Sequence, residues 1–195
     1  MIKNRDTNSD NKSLSDWDII QKVLKGDSSL LEVLYDRYSG KVYYKCLSIT
    51  HDQEISKDLA HDVMIKIFMN LSKFKGTSDF SFWVKSITYN YCMDYLKKKK
   101  RLNFDEFESA DFEQVPVDEI ELQHKMLKEV QLEQLEALLE ELKGNDRMIL
   151  LMRYQDGMSI KQIAGTLKVS VSAVKMRLKR SRDRLAELLK ASQNG

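Results

Sequence analysis

The sequence predicts an all-α protein built from two small helical domains joined by an acidic linker, and three observations carry that prediction. Apolar residues recur at helical spacing through both halves of the chain, while strand-like alternation of β-branched residues is scarce. Residues 102–121 hold eight acids, no base and the only proline, Pro116, without a sustained helical period, so they read as a linker. The 195 residues, 42% of them hydrophobic, suffice for one core or two small ones.

The elements follow in order. Residues 1–13 are polar and read as a tail. Residues 14–25, with Trp17, Ile20, Val23 and Leu24, form an amphipathic helix that stops at Gly26, a good terminating residue. Asp27 or Ser28 is placed to cap a second helix carrying Leu30, Leu31, Leu34, Tyr38, Val42 and Leu47. A third runs over residues 54–71 with Ile55, Leu59, Val63, Ile67 and Phe68. Residues 74–80, FKGTSDF, read as a loop by their glycine and hydroxyl content, and a fourth helix runs from Ser81 into the lysine run. Trp83, Ile87 and Tyr91, four apart, are expected to bury one face of it.

In the C-terminal half Leu132, Leu135, Leu138, Leu139 and Leu142 form one stripe ending at Gly144, followed by a short helix over residues 146–154 and a turn at residues 155–157. Ser159 and Gln162 have capping-box spacing, with Ile160, Ile163, Ala164 and Leu167 facing inward behind them. After a turn at Lys168 and Val169, Ser170 caps a last helix whose core side carries Val171, Val174 and Leu178. Two short helices, a tight turn and a second helix with Lys175, Arg177, Lys179 and Arg180 outward make a helix-turn-helix pattern that suits DNA reading. The apolar positions alone fit any small helical domain.

Several classes are excluded. No apolar stretch approaches the ~20 residues of a membrane helix, and the start lacks a secretory apolar region. Two isolated cysteines, Cys46 and Cys92, give no disulfide framework; they read as small apolar core residues in a reducing cytoplasm. His51, His61 and His124 are scattered, and neither a metal-ligand pattern nor a phosphate loop or nucleophile motif is present, so no metal, cofactor or catalytic residue is expected.

Charge is segregated. The net +2 hides KKKKR at residues 97–101, the acidic stretch after it, and eight bases against two acids over residues 168–190. Such blocks fit solvated faces and nucleic-acid contact alike. Phe74, Phe80, Phe82, Trp83, Tyr89, Tyr91 and Tyr95 add seven aromatics within 22 residues just before the lysine run. Part of this cluster fills a core, but aromatics interleaved with Lys and Asn also suit stacking on unpaired bases, and Thr77, Ser78 and Asp79 offer a polar edge for a displaced base.

These residues together resemble the bacterial sigma-70 family, in its group 4, extracytoplasmic-function (ECF) type. Residues 58–63, DLAHDV, resemble conserved region 2.2; residues 74–96, from FKGTSDFSFW to MDYL, resemble regions 2.3 and 2.4; residues 147–157, RMILLMRYQDG, sit in a stretch that resembles region 4. The likeness covers about residues 14–101 and 125–190, with residues 102–124 as linker and 191–195 as tail. His61 stands where the family usually has Gln, Met64 where it has Phe, and Lys168 where small or glycine-like residues are frequent.

The resemblance implies a cytoplasmic promoter-specificity subunit, not an enzyme, whose partners are core RNA polymerase, promoter DNA and, in many relatives, an anti-sigma factor. It implies polymerase docking by Asp58, Leu59, His61, Asp62 and Met64. It implies −10 element contacts by Phe74, Lys75, Thr77, Ser78, Asp79, Phe80, Trp83, Asn90, Lys97, Lys98 and Arg101. It implies −35 contacts by Ser172, Lys175, Met176, Lys179 and Arg180, and an acidic linker that enters basic nucleic-acid channels of the polymerase. The competing class is a stand-alone helix-turn-helix regulator with a sensing or dimerising N-terminal half, for which a strand-capturing aromatic loop has no use. A helical scaffold would leave the basic last helix unexplained.

Overall fold

A computed structural model of the chain describes residues 13–102 and 132–193. The expected linker with Pro116, most of the N-terminal tail, and the last two residues lie outside the described residues. The chain divides into two compact units, Met1–Cys92 and Met93–Gly195. Every regular element among the described residues is helical, as the periodicity predicts.

In the first unit α1 (Asp16–Leu24) starts at Ser15, whose hydroxyl accepts the Asp18 N–H at 3.2 Å. It stops where expected: Gly26 takes φ +111° and its N–H bonds the Val23 carbonyl. The expected cap on the next helix is not made. Asp27 accepts the Ser29 hydroxyl instead, and a 3₁₀ turn (Ser28–Leu30) leads directly into α2 (Leu31–Thr50), its backbone bonds replacing a side-chain cap. His51 ends α2 at φ +53°, and Asp52 caps α3 (Gln53–Met69) by accepting the Ile55 N–H at 3.0 Å. A second 3₁₀ turn (Leu71–Lys73) precedes the loop and α4 (Phe80–Leu102), of which the part up to Cys92 belongs to the first unit and the part from Met93 to the second.

Ile19 and Ile20, Leu34, Val42 and Cys46, Val63 and Ile67 are buried, and α4 joins them through Phe80 on Tyr38 and Cys92 on Cys46. The buried stripe of α4 is not the expected one. Trp83, Ile87 and Tyr91 are only half-buried, whereas Phe80, Val84, Thr88 and Cys92, one position round the helix, are buried. Small side chains at 84, 88 and 92 suit a close approach to α2, where the Cys92 thiol lies 3.8 Å from that of Cys46. The bond to Cys46 and burial push the Cys92 thiol up, so the pair sits as inert apolar core.

In the second unit α5 (Leu132–Glu141) ends before Gly144, which opens α6 (Gly144–Leu150) rather than closing the leucine stripe. Leu138 and Leu142 are buried; the side chains of Leu132 and Leu135 lie outside the described residues. The second short helix continues through a π turn (Leu151–Gln155) to Gly157 at φ +64°. The capping box of Ser159 and Gln162 forms with both bonds, at 3.2 and 2.8 Å, and opens α7 (Ile160–Leu167). Lys168 takes the left-handed conformation at φ +54°, and Ser170 caps α8 (Val171–Gln193) by accepting the Ala173 N–H. The last helix thus extends into what the sequence reads as tail. Val174 and Leu178 are buried as expected, but Val171, at the first position of α8, is 40% exposed.

Candidate nucleic-acid interface

Three surfaces gather the residues singled out from the sequence. On α3, Asp58, His61 and Asp62 are exposed, and the four-residue spacing puts both carboxylates on one side. Leu59 and Met64 are not on that surface. They share the inward face with Val63 and Ile67, so they support the exposed face by packing beneath it. The same outward stripe continues through Ile65, 45% exposed, and Met69, 78% exposed, which the motif comparison did not pick out. Their signal was present in the sequence: positions 62, 65 and 69 share a helix face, so two large apolar residues there have no core to fill. Asp62 accepts the Tyr91 hydroxyl of α4 at 2.8 Å, and the Lys66 ammonium stands 5.1 Å from the Tyr91 ring centre.

The second surface is the loop before α4. Phe74 and Phe80, expected at the −10 strand, are buried, with ring centres 5.1 Å apart. Phe80 meets Tyr38 edge-on at 5.1 Å and stacks with half-buried Trp83 at 5.5 Å. These two phenylalanines are therefore foundations of the loop, since hydrophobic burial outweighs any exposed role for a side chain flanking a helix start. Lys75, Thr77, Ser78 and Asp79 are exposed. Asp79 is also the cap of α4: its carboxylate accepts the Ser81 N–H at 2.7 Å, and the Ser81 side chain and N–H hold its carboxyl below the usual carboxylate range. Asn90 is half-buried, seven residues beyond Trp83 on the same helix. Lys97 and Lys98 are exposed; Arg101 lies within α4, its side chain outside the described residues.

The third surface is the outer face of α8. Ser172, Lys175 and Arg180 are exposed, and Met176 and Lys179 partly so, while Val174, Leu178, Ser181 and Leu185 turn inward. The helix is fixed by Asp146 of α6, which accepts the Ser181 hydroxyl at 2.8 Å and pairs with Arg184. Arg147 and Arg153, both in the region 4-like stretch, build the support instead of the surface. Arg147 donates to the carbonyls of Leu139, Glu140 and Leu142 at 2.6–2.8 Å, and Arg153 to that of Met158 at 3.0 Å. Arg147 acts as a buried multi-donor fork, which the sequence motif alone does not distinguish from a DNA contact, whereas Arg153 is half-buried.

Among the described residues no group of His, Cys, Asp and Glu could hold a metal ion, and no helix is long and apolar enough to cross a membrane. The arrangement offers an acidic and apolar helix face, a pinned polar loop over aromatic rings, and a basic outer face on a helix packed into its own domain.

The comparisons with known proteins agree on one family. The family model for sigma-70 region 2 matches residues 34–102, and that for sigma-70, region 4 matches residues 132–185. The ECF RNA polymerase sigma factor SigW of Bacillus subtilis (strain 168) is 25% identical over 177 residues, covering 88% of this chain and 95% of that one. The ECF RNA polymerase sigma-E factor of Escherichia coli (strain K12) is 26% identical over 182 residues, covering 88% and 93%. Two solved structures share the fold: CnrH in complex with the cytosolic domain of CnrY, with TM-score 0.55, 21% identity and coverage of 89% and 96%, and the sigma factor RpoE in complex with the anti-sigma factor NepR from Bartonella quintana, with TM-score 0.56, 19% identity and coverage of 82% and 96%. With both sigma regions matched in order and full-length relatives of one kind, the chain belongs to the sigma-70 family, as a group 4, extracytoplasmic-function member.

Proposed function

We propose that this chain binds core RNA polymerase and directs promoter-specific initiation, reading the −35 element with α8 and opening the −10 element with the loop at residues 74–79. The observation that carries the reading is the pairing, in one chain matched by both sigma regions, of a basic outer helix face with a polar loop mounted on aromatic rings. Residues 14–101 serve as the polymerase-docking and −10 domain, residues 125–190 as the −35 domain, and the acidic residues 102–124 as the linker between them.

The roles divide by chemistry. Asp58, His61 and Asp62, with Leu59 and Met64 packed beneath, present the docking face to the polymerase. Lys175, Met176, Lys179 and Arg180, with Ser172 at the helix start, face the −35 major groove, where a guanidinium can pair bidentately with guanine. Thr77 and Ser78 meet a displaced −10 base, and Asp79 joins them from the helix cap. Trp83 and Asn90 line the continuation along α4, and Lys75, Lys97, Lys98 and Arg101 hold phosphates. Phe74 and Phe80 act from below, as the floor.

The chain performs no chemistry itself: family members are initiation factors, and bond formation belongs to the polymerase. It acts in the cytoplasm, where its partners are. The sigma factor RpoE was solved in complex with the anti-sigma factor NepR, which supports an anti-sigma factor as a third partner of this chain. Run-off transcription with purified core enzyme and a promoter library tests the whole. Enrichment of templates sharing spaced −35 and −10 elements is expected; transcription by core enzyme that is indifferent to the added chain would overturn the proposal.

A further inference from the structure

We propose that Trp17 is a positioning residue for the −10 loop: its indole is the seat on which the Gly76 backbone rests, so that Thr77 and Ser78 are held ready before any base is displaced. Trp17 lies on α1, outside the segment matched by the region 2 model, and its sequence context marks it only as one apolar member of an amphipathic helix. The inference rests on the proposed role of the loop in capturing the −10 strand.

The contact is close. A Cβ built on Gly76 would stand 2.7 Å from Trp17 Cζ3 and 2.9 Å from Cε3 and Cη2, so the loop backbone lies against the six-membered ring with no room for a side chain between. Gly76 also takes φ +70°, so glycine is required there twice, by conformation and by the close approach. Trp17 meets Phe74 edge-on at 5.8 Å, and Phe74 in turn touches Phe80 and Trp83 at 5.1 and 5.6 Å. A chain of rings thus runs from the core out to Trp17, which remains 41% exposed.

The seat is itself fixed. Neighbouring Asp16 is held by the Arg37 guanidinium at 2.7 Å and by the Tyr38 hydroxyl, Arg37 donates also to the Leu14 carbonyl, and Ile19 and Ile20 are fully buried. At its other end the loop is tied by the Asp79 cap. Only Thr77 and Ser78 lie between the two anchors, both exposed. A span so short has few conformations left to lose when it meets a base, which favours capture by removing an ordering cost at that moment. Without the indole the loop keeps one anchor and must be ordered by the strand it captures.

The test uses the full chain with core polymerase, on a duplex promoter and on the same promoter already mismatched at −10. Trp17→Ala is expected to slow opening of the duplex about tenfold, the equivalent of ordering roughly one more residue on capture. Core affinity should stay unchanged, and most of the activity should return on the mismatched template. Trp17→Phe, which keeps a ring, should retain most duplex opening. Gly76→Ala, approaching from the loop side with Trp17 intact, should give the same template-selective loss, and it serves if Trp17→Ala proves poorly folded. Replacement of Thr77 and Ser78 by glycine separates the two ideas. If that variant fails on duplex while Trp17→Ala and Gly76→Ala behave as wild type, the loop reading stands and the role of Trp17 is overturned. If neither alteration affects duplex opening, the loop reading fails and the seat fails with it. Equal losses on both templates, or weakened core binding, would make Trp17 merely structural and likewise overturn the proposal.

Discussion

Arg147→Met removes the guanidinium that closes the end of α5 while keeping most of the apolar stem. The last carbonyls of a helix have no partner within it, and here one buried side chain takes three: those of Leu139 at 2.6 Å, Glu140 at 2.7 Å and Leu142 at 2.8 Å. Burial lowers the Arg147 pKa, but from so high a starting point that the group stays charged, and a cation at a helix C-terminus is favoured by the dipole. Hydrogen bonds from a charged donor contribute about 1.5–3 kcal/mol each. Glu140 is exposed and Leu139 half-exposed, so water can replace two of the three partners, whereas Leu142 is buried and its carbonyl is left stranded. The expected cost is therefore about 3 kcal/mol, near one full charged bond and two discounted ones. At a urea dependence of ~2 kcal/mol/M, the unfolding midpoint of the second unit should fall by about 1.5 M. Both tryptophans, Trp17 and Trp83, lie in the first unit, so circular dichroism should shift while tryptophan fluorescence does not. A circular-dichroism midpoint that moves by less than about 0.3 M would refute the assignment of Arg147 as the helix closure.

The other expectations concern the surfaces and caps. Arg180→Ala should cost about 1–3 kcal/mol of discrimination at one −35 base pair in a binding assay across promoter variants, whereas a uniform loss with a salt slope reduced by roughly 0.9 would assign it to phosphate. Asp58→Lys with Asp62→Lys should weaken core polymerase binding while lowering thermal stability only slightly, through loss of the exposed Tyr91–Asp62 bond; unchanged core affinity would remove the α3 face from the interface. Asp79 is depressed in the folded chain, so its cap contributes above the ordinary aspartate range and is lost as pH falls through the folded value. Asp79→Ala should then cost about 1 kcal/mol at neutral pH in thermal melts and less in acid, and a cost independent of pH would argue against the cap. Lys168→Gly should stabilise the second unit by up to about 1 kcal/mol, because φ +54° strains a residue with a Cβ; a lower urea midpoint would show that Lys168 has a compensating contact.

What the sequence by itself determined is what depends on local chemistry. Helical period, the glycine stop at Gly26, the capping box of Ser159 and Gln162 and the cap at Ser170 are decided by residues within one or two turns of each other, so they could be read directly and formed as read. The outward basic face of α8 was legible in part: Lys175 and Arg180 are exposed as read, whereas Arg177 and Lys179 are half-buried. Tertiary packing decided the rest. Which stripe of α4 goes inward depended on how closely α2 approaches, and small Val84, Thr88 and Cys92 won over Trp83, Ile87 and Tyr91. Whether Phe74 and Phe80 were pocket or floor depended on Tyr38 and Trp17, residues far off in sequence. Leu59 and Met64 fit the polymerase-docking motif by position, yet the fold gives their surface to the core. Val171 shows the converse: its spacing matches Val174 and Leu178, but it stays 40% exposed while they are buried. Periodicity fixes the face of an isolated helix; burial requires a partner at that height, and only the assembled unit supplies one.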